Sequence, residues 1–323
     1  MERRDTGRLG RAVTVVGLGT WQLGADWGEV GDAGSVLDAA IDHGVTFLDT
    51  ADVYGDGRSE RACGALHERN PGVLIATKMG RRVPQLAENY NADAFREWNT
   101  RSRENLGVQT LDLVQLHCPP DGVYADDTVF EALDAMVEED LMRAYGVSVE
   151  TCEQALAAIA RPRVASVQII LNCLRLKPLE EVLPAARAAG VAIIARVPLA
   201  SGLLSGRYDE HTVFAPDDHR TYNRLGEAFD VGETFSGVPY DVGVAAAREL
   251  AALVDPGVTL AQFALRWVID QPGVTTVIPG ARSRQQAAAN AAAAATAPLR
   301  AEQLAGVRDV YDRLIRAHVH SRW

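Results

Sequence analysis

Four ionisable side chains stand close to the ends of three consecutive apolar segments of the sequence. Asp49, Lys78 and His117 end these segments, and Tyr54 follows Asp49 by five residues. Taken singly, each has an ordinary explanation: a turn cap, a surface lysine, a core histidine or a packed tyrosine. Together they are harder to explain this way, because ionisable groups that end buried strands cost free energy unless they are paired or functional.

The chemistry that suits these four residues is proton donation by a phenol. The pKa of a free tyrosine is near about 10, too high for efficient acid catalysis at neutral pH, but a nearby ammonium favours the phenolate and lowers that pKa. Asp49 would keep Lys78 charged, and the imidazole of His117 could hydrogen-bond the same oxygen or a substrate. The sequence therefore predicts a proton-transfer centre built on Tyr54.

The elements that must position these residues are eight apolar, β-branched segments with helical patterns between them. The segments are VTVVGLG (13–19), VTFLDT (45–50), VLIATK (73–78), LDLVQLH (111–117), RAYGVS (143–148), VASVQII (164–170), VAIIARV (191–197) and VTTVIPG (274–280). Helices are predicted at about 33–43, 59–70, 92–106, 128–139, 152–160, 179–189 and 243–270, and from 284. Nearly continuous apolar character is expected of strands covered on both faces.

Eight strand-then-helix units without an intervening flexible linker predict an α/β fold, a single (β/α)8 TIM barrel domain over residues 1–323. Active sites of this fold lie at the carboxyl ends of the strands, so the four side chains should meet at one mouth. One segment, 202–241 after the seventh strand, is too long and polar for an ordinary connection, and it is predicted to be a functional loop. The alanine-rich run 287–297 is predicted to be helical.

Composition and charge exclude several classes of function. The formal net charge of -11 disfavours binding to nucleic acid and to anionic membrane surfaces. No apolar run resembles a signal peptide or approaches the roughly 20 residues that span a bilayer, so a cytoplasmic protein is predicted. Neither a zinc site nor a disulfide framework is predicted, because the cysteines are scattered; they are Cys63, Cys118, Cys152 and Cys173.

Eight motifs resemble the aldo-keto reductase family, in order and over essentially the whole chain. They are GLGTWQLG, FLDTADVYGDGRSE, IATK, LDLVQLHCP, YGVS, VQIILN, PLASGLLSGRY and TTVIPGAR. The resemblance implies that Asp49, Tyr54, Lys78 and His117 form a catalytic tetrad. Tyr54 would protonate the carbonyl oxygen of a small aldehyde or ketone while NAD(P)H delivers hydride to the carbon. The oligomeric state is not predicted.

The resemblance also assigns residues to the nicotinamide and pyrophosphate of the cofactor. Ser148 and Gln168 match positions that hold the carboxamide, and Arg196 stands where many members stack a tyrosine on the nicotinamide. A planar guanidinium can stack as well. The stretch 198–208 matches the loop that folds over the pyrophosphate, where Gly and Ser let the backbone approach closely. Its implied contacts are Pro198, Leu199, Ser201, Leu203 and Ser205.

The last motif, within 278–290, combines a glycine turn with the start of a helix, where free amides favour an anion. The implied cofactor contacts are Gly280, Arg282, Ser283, Gln286 and Asn290. Arg282 is the expected partner of a 2′-phosphate, which predicts a preference for NADPH over NADH. The alternative is that Arg282 and Arg284 only solvate the helix end.

Trp21 and Trp27 are predicted to form a flat apolar wall of the substrate pocket, although packing inside the barrel would explain them equally well. Two other classes of function stay open. One is an NADP(H)-binding regulatory subunit, because potassium-channel beta subunits also resemble this family. The other is a barrel hydrolase or lyase, for which the expected histidine-containing metal cluster is missing from the sequence, so no metal is predicted.

Overall fold

The computed structural model describes residues 1–24 and 32–323. A short antiparallel hairpin, β1 (Arg3–Arg4) with β2 (Val13–Thr14), comes first and forms a two-stranded sheet of its own. Eight parallel strands then follow in chain order around a barrel. They are β3 (Leu18–Gly19), β4 (Phe47–Asp49), β5 (Leu74–Met79), β6 (Leu113–His117), β7 (Tyr145–Ser148), β8 (Val164–Ile170), β9 (Ala192–Arg196) and β10 (Val274–Val277).

Two parallel bridges close the barrel, one between Val16 and Val277 and one between Gly19 and Gly280. Helices connect the strands, and the last three helices follow β10: α1 (Trp21–Gly24), α2 (Ala33–Asp42), α3 (Arg58–Arg69), α4 (Ala92–Leu106), α5 (Asp121–Ala125), α6 (Asp127–Glu138), α7 (Cys152–Ile159), α8 (Val182–Ala189), α9 (His219–Tyr222), α10 (Tyr240–Ala251), α11 (Leu260–Ile269), α12 (Arg284–Ala292), α13 (Ala301–Val310) and α14 (Arg316–Val319). The predicted α/β barrel is confirmed.

Local sequence sets several helix starts. Thr151 and Gln154 form a reciprocal capping box at the start of α7, and Thr259 and Gln262 form another at the start of α11. In each box the threonine hydroxyl accepts a hydrogen bond from the backbone amide of the glutamine, and the glutamine side chain accepts one from the backbone amide of the threonine. These bonds satisfy amides that the first helical turn leaves without partners. These helices therefore begin at defined residues.

The two-residue period of the strands explains why the barrel interior changes character along its axis. Phe47, Leu74, Leu113 and Ile194 belong to one apolar cluster of buried residues. Residues two or four positions further along the same strands lie on the same face, because side chains alternate across a strand. Those later positions are polar: Asp49, Lys78, Gln115 and His117, and Arg196. The apolar end supports the barrel, and the polar end forms its mouth.

Two predicted elements differ from the structure. The predicted first strand, 13–19, is divided, since 13–14 pairs with β1 in the amino-terminal hairpin and 18–19 pairs with β4 in the barrel sheet. The predicted helix 243–270 is two helices, α10 and α11. Pro256 and Gly257, which has φ 85°, lie between them, and proline and a left-handed glycine both end helices.

The segment between β9 and α10 is largely irregular, as predicted for 202–241, and contains only short helical turns and α9. The turns are Ala200–Ser205, Val231–Glu233 and Phe235–Gly237. The carboxyl-terminal residue anchors this segment: the indole Nε1 of Trp323 donates to Asp230 Oδ1 at 3.1 Å. The guanidinium carbon of Arg175 lies 3.8 Å from the centre of the Trp323 ring. Across 1–24 and 32–323, no helix is both long and apolar enough to cross a membrane.

Candidate active site

The structure brings together the four side chains that end or follow β4, β5 and β6. Lys78 is 1% exposed and forms an ion pair with Asp49 Oδ1. Its ammonium also donates to the carbonyl oxygen of Thr50 at 2.9 Å and to the hydroxyl of Tyr54 at 3.4 Å. The lysine therefore links a buried carboxylate to a phenol.

The second carboxylate oxygen of Asp49 is held by two amides. Gln115 Nε2 donates to Asp49 Oδ2 at 3.1 Å and Gln168 Nε2 donates to it at 2.7 Å, while Gln168 also donates to Gln115 Oε1 at 3.2 Å. Both carboxylate oxygens are thus hydrogen-bonded inside the barrel, as a buried charge requires. Gln168, which the sequence assigned to a cofactor carboxamide, directs its amide to Asp49 in this structure.

A tight turn after β4 sets the position of Tyr54. Gly55, Asp56 and Gly57 all have positive φ values, of 59°, 54° and 80°. Gly24 packs against this turn so closely that an added Cβ would lie 2.5 Å from the carbonyl carbon of Tyr54. A glycine is required where two backbones approach this closely, and the contact fixes the backbone that carries the phenol.

His117 completes the group from the end of β6. Its ring centre lies 6.0 Å from that of Tyr54, with the two planes at 84°. The imidazole is 6% exposed, and its Nδ1 has no hydrogen-bond partner among the described residues. Burial, together with the positive charges of Arg81 and Lys78, holds the pKa of His117 well below its usual value. The imidazole is therefore neutral at physiological pH.

The electrostatic surroundings of Tyr54 agree with the prediction from sequence for Lys78 but not for the pKa of Tyr54 itself. Burial opposes the charge on Lys78, but attraction to the carboxylate of Asp49 outweighs it and raises the pKa of Lys78, which stays protonated. Burial also raises the pKa of Tyr54, and the opposing effect of Lys78 is smaller. The expected net lowering of the Tyr54 pKa is wrong for this structure, because desolvation of the phenol is the larger effect. Tyr54 therefore holds its proton.

Arg196, at the end of β9, is bound by groups from two other loops. Its Nη2 donates to Glu150 Oε2 at 2.7 Å and to the carbonyl oxygen of Val149 at 3.1 Å. Its Nη1 lies 3.7 Å from Glu233 Oε2. Ser148, at the end of β7, is 1% exposed, and its hydroxyl accepts a weak bond from Cys118 at 3.5 Å. Arg196 and Ser148 therefore lie at adjacent parts of the mouth.

A second arginine completes this charged cluster. Arg81 Nη2 donates to Glu150 Oε1 at 3.1 Å and to Glu233 Oε1 at 2.9 Å. Burial raises the pKa of Glu150 to about 7, whereas Arg81 and Arg196 outweigh burial at Glu233 and lower its pKa to about 2. The sulfur of Cys118 and one oxygen of each glutamate lie within 4.8 Å of one another. The two arginines already supply the cationic partners of these carboxylates.

Sequence reasoning missed Arg81, Glu150 and Glu233. Glu150 stands two residues after the end of β7 and Arg81 two residues after the end of β5, so strand ends gave a usable signal for both. Glu233 lies inside the long segment after β9, and no spacing in the sequence places it at the mouth. Only the folded path of that segment brings it there.

The predicted pyrophosphate loop has an unusual backbone. Val197, Ala200 and Ser201 have φ values of 52°, 47° and 53°, a region that residues with side chains rarely adopt. The hydroxyl of Ser201 donates to the carbonyl oxygen of Glu233 at 3.1 Å and accepts from the amide of Phe235 at 3.0 Å. The side chain of Ser201 therefore ties this turn to the long segment.

The other residues predicted on this loop take several positions. Pro198 and Leu203 are buried and Leu199 is partly buried. Leu203 packs against Gly243 of α10, where an added Cβ would lie 2.6 Å from its Cδ1. Ser205 donates to the carbonyl oxygen of Gly202 at 2.6 Å. The side chain of Leu203 thus has a packing role, which leaves the backbone as the part of this residue that could meet a ligand.

The residues predicted from the last motif cluster at the start of α12. Ser283 caps the helix by accepting from the amide of Gln286 at 3.2 Å, and Gln286 Oε1 accepts from the amide of Arg282 at 2.8 Å. Asn290 Nδ2 donates to the carbonyl oxygen of Gly280 at 3.1 Å. These contacts fix the turn that presents the partly buried Arg282.

The long segment also approaches this end of the site. Arg220 Nε donates to Asp218 Oδ1 at 2.9 Å, and Arg220 also donates to Tyr208. Burial and the nearby charge of Arg220 lower the pKa of Arg282. The charge of Arg220 therefore acts on Arg282, and Arg220 is a further residue that the sequence analysis did not single out.

Trp21 contacts the same segment through aromatic edges. Its ring centre lies 4.8 Å from that of His219 and 6.4 Å from that of Phe229. Trp21, at the start of α1, therefore packs against the segment after β9. Trp27, the other predicted pocket residue, lies outside the described residues.

The residues present fit a phosphorylated dinucleotide. Arg282 and the first amides of the nine-residue helix α12 suit an anionic phosphate. At the other end, the buried Nε of Arg196 and Nδ1 of His117 have no hydrogen-bond partner among the described residues. Buried polar atoms without partners are uncommon in proteins, and they are expected where a ligand binds. The two ends of the site thus match the two ends of such a cofactor.

Comparison with known proteins finds similarity over most of the chain. The sequence profile of the aldo/keto reductase family matches residues 15–312. The chain is 30% identical over 294 residues to the aldo-keto reductase YhdN of Bacillus subtilis, covering 88% of this chain and 86% of that protein. It is 28% identical over 317 residues to a probable voltage-gated potassium channel subunit beta of Arabidopsis thaliana, covering 93% of each.

A solved aldo/keto reductase from Klebsiella pneumoniae, in complex with NADP and acetate, has a similar fold. The TM-score is 0.69 with 26% sequence identity, over 96% of each chain. The similarity extends over nearly all of both chains, so it includes the strands whose carboxyl ends form the mouth.

Proposed function

Since the chain belongs to the aldo/keto reductase family and is an oxidoreductase, we propose that it reduces an aldehyde or ketone to an alcohol with NADPH, with Tyr54 as the general acid. The observation that carries the proposal is the position of the Tyr54 hydroxyl, 3.4 Å from the Lys78 ammonium. General acids in enzymes contribute rate factors of roughly 10² to 10⁴ when they are placed on the reacting oxygen.

The residues of the tetrad divide the work of proton transfer. When bound, the reduced nicotinamide supplies the hydride that adds to the carbonyl carbon. Tyr54 donates its proton to the carbonyl oxygen, so that the phenolic O–H bond breaks and the alcohol O–H bond forms. Lys78 stabilises the phenolate that remains, and Asp49 keeps Lys78 charged and in place.

His117 acts in this scheme as a neutral hydrogen-bonding group. Its depressed pKa argues against imidazolium as the acid. A neutral imidazole beside Tyr54 can donate a hydrogen bond to the carbonyl oxygen and hold the substrate in line with the phenol. Trp21 is assigned to the wall of the substrate pocket, since it contacts the long segment at the mouth.

Cofactor binding is assigned to the later strands and α12. Ser148, Gln168 and Arg196 are assigned to the nicotinamide end, the backbone of the turn after β9 to the pyrophosphate, and Arg282 to the 2′-phosphate. A guanidinium at a helix start is a strong partner for a phosphate, which supports NADPH over NADH. The location in the cytoplasm and the single-domain interpretation of residues 1–323 stay predictions.

A fluorescence titration combined with a turnover assay separates the proposed reductase from a regulatory subunit. The protein is titrated with NADPH and NADH, and oxidation of each is then followed over a panel of aldehydes and ketones. Binding with oxidation supports a reductase. Binding of NADPH without oxidation of any compound in a broad panel would favour the regulatory role, and binding of neither cofactor would contradict both.

A further inference from the structure

Two carboxylates from different loops enclose the guanidinium of Arg196. Glu150 follows β7 and contacts Arg196 Nη2 at 2.7 Å, while Glu233 belongs to the long segment and lies 3.7 Å from Nη1. Arg81 bridges the same two carboxylates from the loop after β5. Three loops and the end of β9 are thereby joined by one closed set of charges.

This set is largely shielded from water. The side chains of Arg196 and Glu150 are 9% and 13% exposed, and those of Glu233 and Arg81 are 19% and 20% exposed. Charges in such surroundings interact more strongly than on an open surface, because the effective dielectric constant is lower. Removing one member would therefore change the local potential and not only one hydrogen bond.

The local electrostatic potential matters for cofactor binding because the charge of the nicotinamide ring depends on its oxidation state. The nicotinamide ring is neutral in NADPH and carries a positive charge in NADP⁺. An uncompensated arginine beside the ring would repel the oxidised form and leave the reduced form nearly unaffected. A site of this kind would bind the two forms very unequally.

We propose that Glu150 and Glu233 are positioning residues for Arg196, which hold its guanidinium beside the nicotinamide and offset its charge so that the site accepts NADP⁺. This inference rests on the proposed function, in particular on the assignment of Arg196 to the nicotinamide end. The two glutamates act on the cofactor through Arg196. Because Glu233 belongs to the long segment, that segment would contribute to the relative affinity for NADP⁺ and NADPH.

Two further contacts support the assignment. The carbonyl oxygen of Glu233 accepts from Ser201, on the turn assigned to the pyrophosphate, so the glutamate and that turn are fixed to each other. The Nε of Arg196 is buried and has no hydrogen-bond partner among the described residues, although both Nη atoms have acceptors nearby. One donor of the held guanidinium is thus left for a bound molecule.

The test is to measure the dissociation constants of NADP⁺ and NADPH for the wild type, Glu150→Gln and Glu233→Gln at about pH 8, where both carboxylates are ionised. Each amide keeps the shape of the side chain and removes its charge. We expect NADP⁺ to bind about tenfold more weakly and NADPH to change by about twofold or less, because the lost charge acts only on a cationic ring.

Two controls separate this effect from a loss of structure. Glu249→Gln removes an exposed carboxylate that pairs with Arg313, and both affinities should be unchanged. Arg196→Gln removes the cation itself, so it should strengthen the binding of NADP⁺ relative to NADPH, in the opposite direction to the glutamate variants. Equal changes for NADP⁺ and NADPH in both glutamate variants would overturn the inference. A wild type that binds neither form would contradict the proposed function and this inference with it.

Discussion

The ammonium of Lys78 lies 3.4 Å from the hydroxyl of Tyr54 at the barrel mouth. The lysine comes from inside β5 and is 1% exposed, whereas the tyrosine comes from the turn after β4. This contact joins a charged group, held by Asp49, to the proton donor of the proposed reaction.

Replacing Lys78 should remove stabilisation of the phenolate. Lys78→Met keeps the length and apolar stem of the side chain, and we expect kcat for carbonyl reduction to fall by about 10²- to 10⁴-fold. Steady-state kinetics measure this fall, with NADPH affinity measured separately. Lys177→Met is the matched control, because Lys177 is the other lysine of the sequence and pairs with the exposed Glu153 instead of with the tetrad. A kcat that falls equally in both variants would contradict the role of Lys78.

His117 should stay neutral over the physiological range of pH. Its pKa is held well below the usual value by burial and by the charges of Arg81 and Lys78. NMR of the imidazole nitrogens over about pH 5 to 8 should show no titration for this residue, unlike an exposed histidine with a pKa near about 6.5. An imidazole that titrates near neutrality would show that these charges act less strongly than the structure implies.

Asp52 should make stability depend on pH. Asp52 lies between Asp49 and Tyr54 along the chain, and its side chain is fully buried. Neither of its carboxylate oxygens has a hydrogen-bond partner among the described residues. Burial and the charge of Glu60 raise its pKa from 3.8 to about 7, although Arg82 and Arg101 act in the opposite direction. The folded protein therefore favours the protonated acid, and stability from this group is lost as pH rises from about 4 to about 7.

Asp52→Asn replaces the neutral acid with an amide of the same shape. We expect the variant to be more stable than the wild type by about 1 to 2 kcal/mol at pH 8 and nearly equal to it at pH 4. Urea unfolding at the two values of pH measures the difference. If the wild type were more stable than Asp52→Asn at pH 8, the ionised carboxylate of Asp52 would be well solvated, and the prediction would be contradicted.

Arg282 should discriminate between the two cofactors. Loss of a guanidinium that binds a 2′-phosphate should weaken NADPH by about 10- to 100-fold and leave NADH nearly unchanged. Dissociation constants for Arg282→Ala measure both effects. Arg284→Ala is the control, because Arg284 is exposed and contacts α2 through Asp42 and the carbonyl oxygen of Ser35. Equal losses for NADPH and NADH would favour the alternative that Arg282 only solvates the helix end.

The sequence predicted those parts of the site that depend on strand ends. The carboxyl ends of parallel strands meet at one edge, so the ends of three apolar segments located Asp49, Lys78 and His117. Gln115 was not singled out, although it lies two residues before His117 on the same face of β6 and donates to Asp49. Such regular geometry can be read from spacing alone.

The parts that depend on the path of irregular chain could not be predicted. Glu233 reaches Arg81 and Arg196 only through a segment with almost no regular structure. The extent to which each side chain is buried away from water also could not be predicted from the sequence. Asp52 and Asp56 look alike in FLDTADVYGDG, yet Asp52 is buried and Asp56 is exposed and pairs with Arg82. The net effect on the Tyr54 pKa differed from expectation for the same reason.

The most direct test of the central claim is the single-turnover rate of Tyr54→Phe with NADPH bound. This variant removes one oxygen and keeps the ring that packs against His117. Tyr145→Phe is the control, since its hydroxyl donates to Asp134 away from the mouth. We predict that the rate of hydride transfer for Tyr54→Phe falls by about 10²- to 10⁴-fold while NADPH affinity stays within about twofold. A rate equal to that of Tyr145→Phe would contradict the assignment of Tyr54 as the acid.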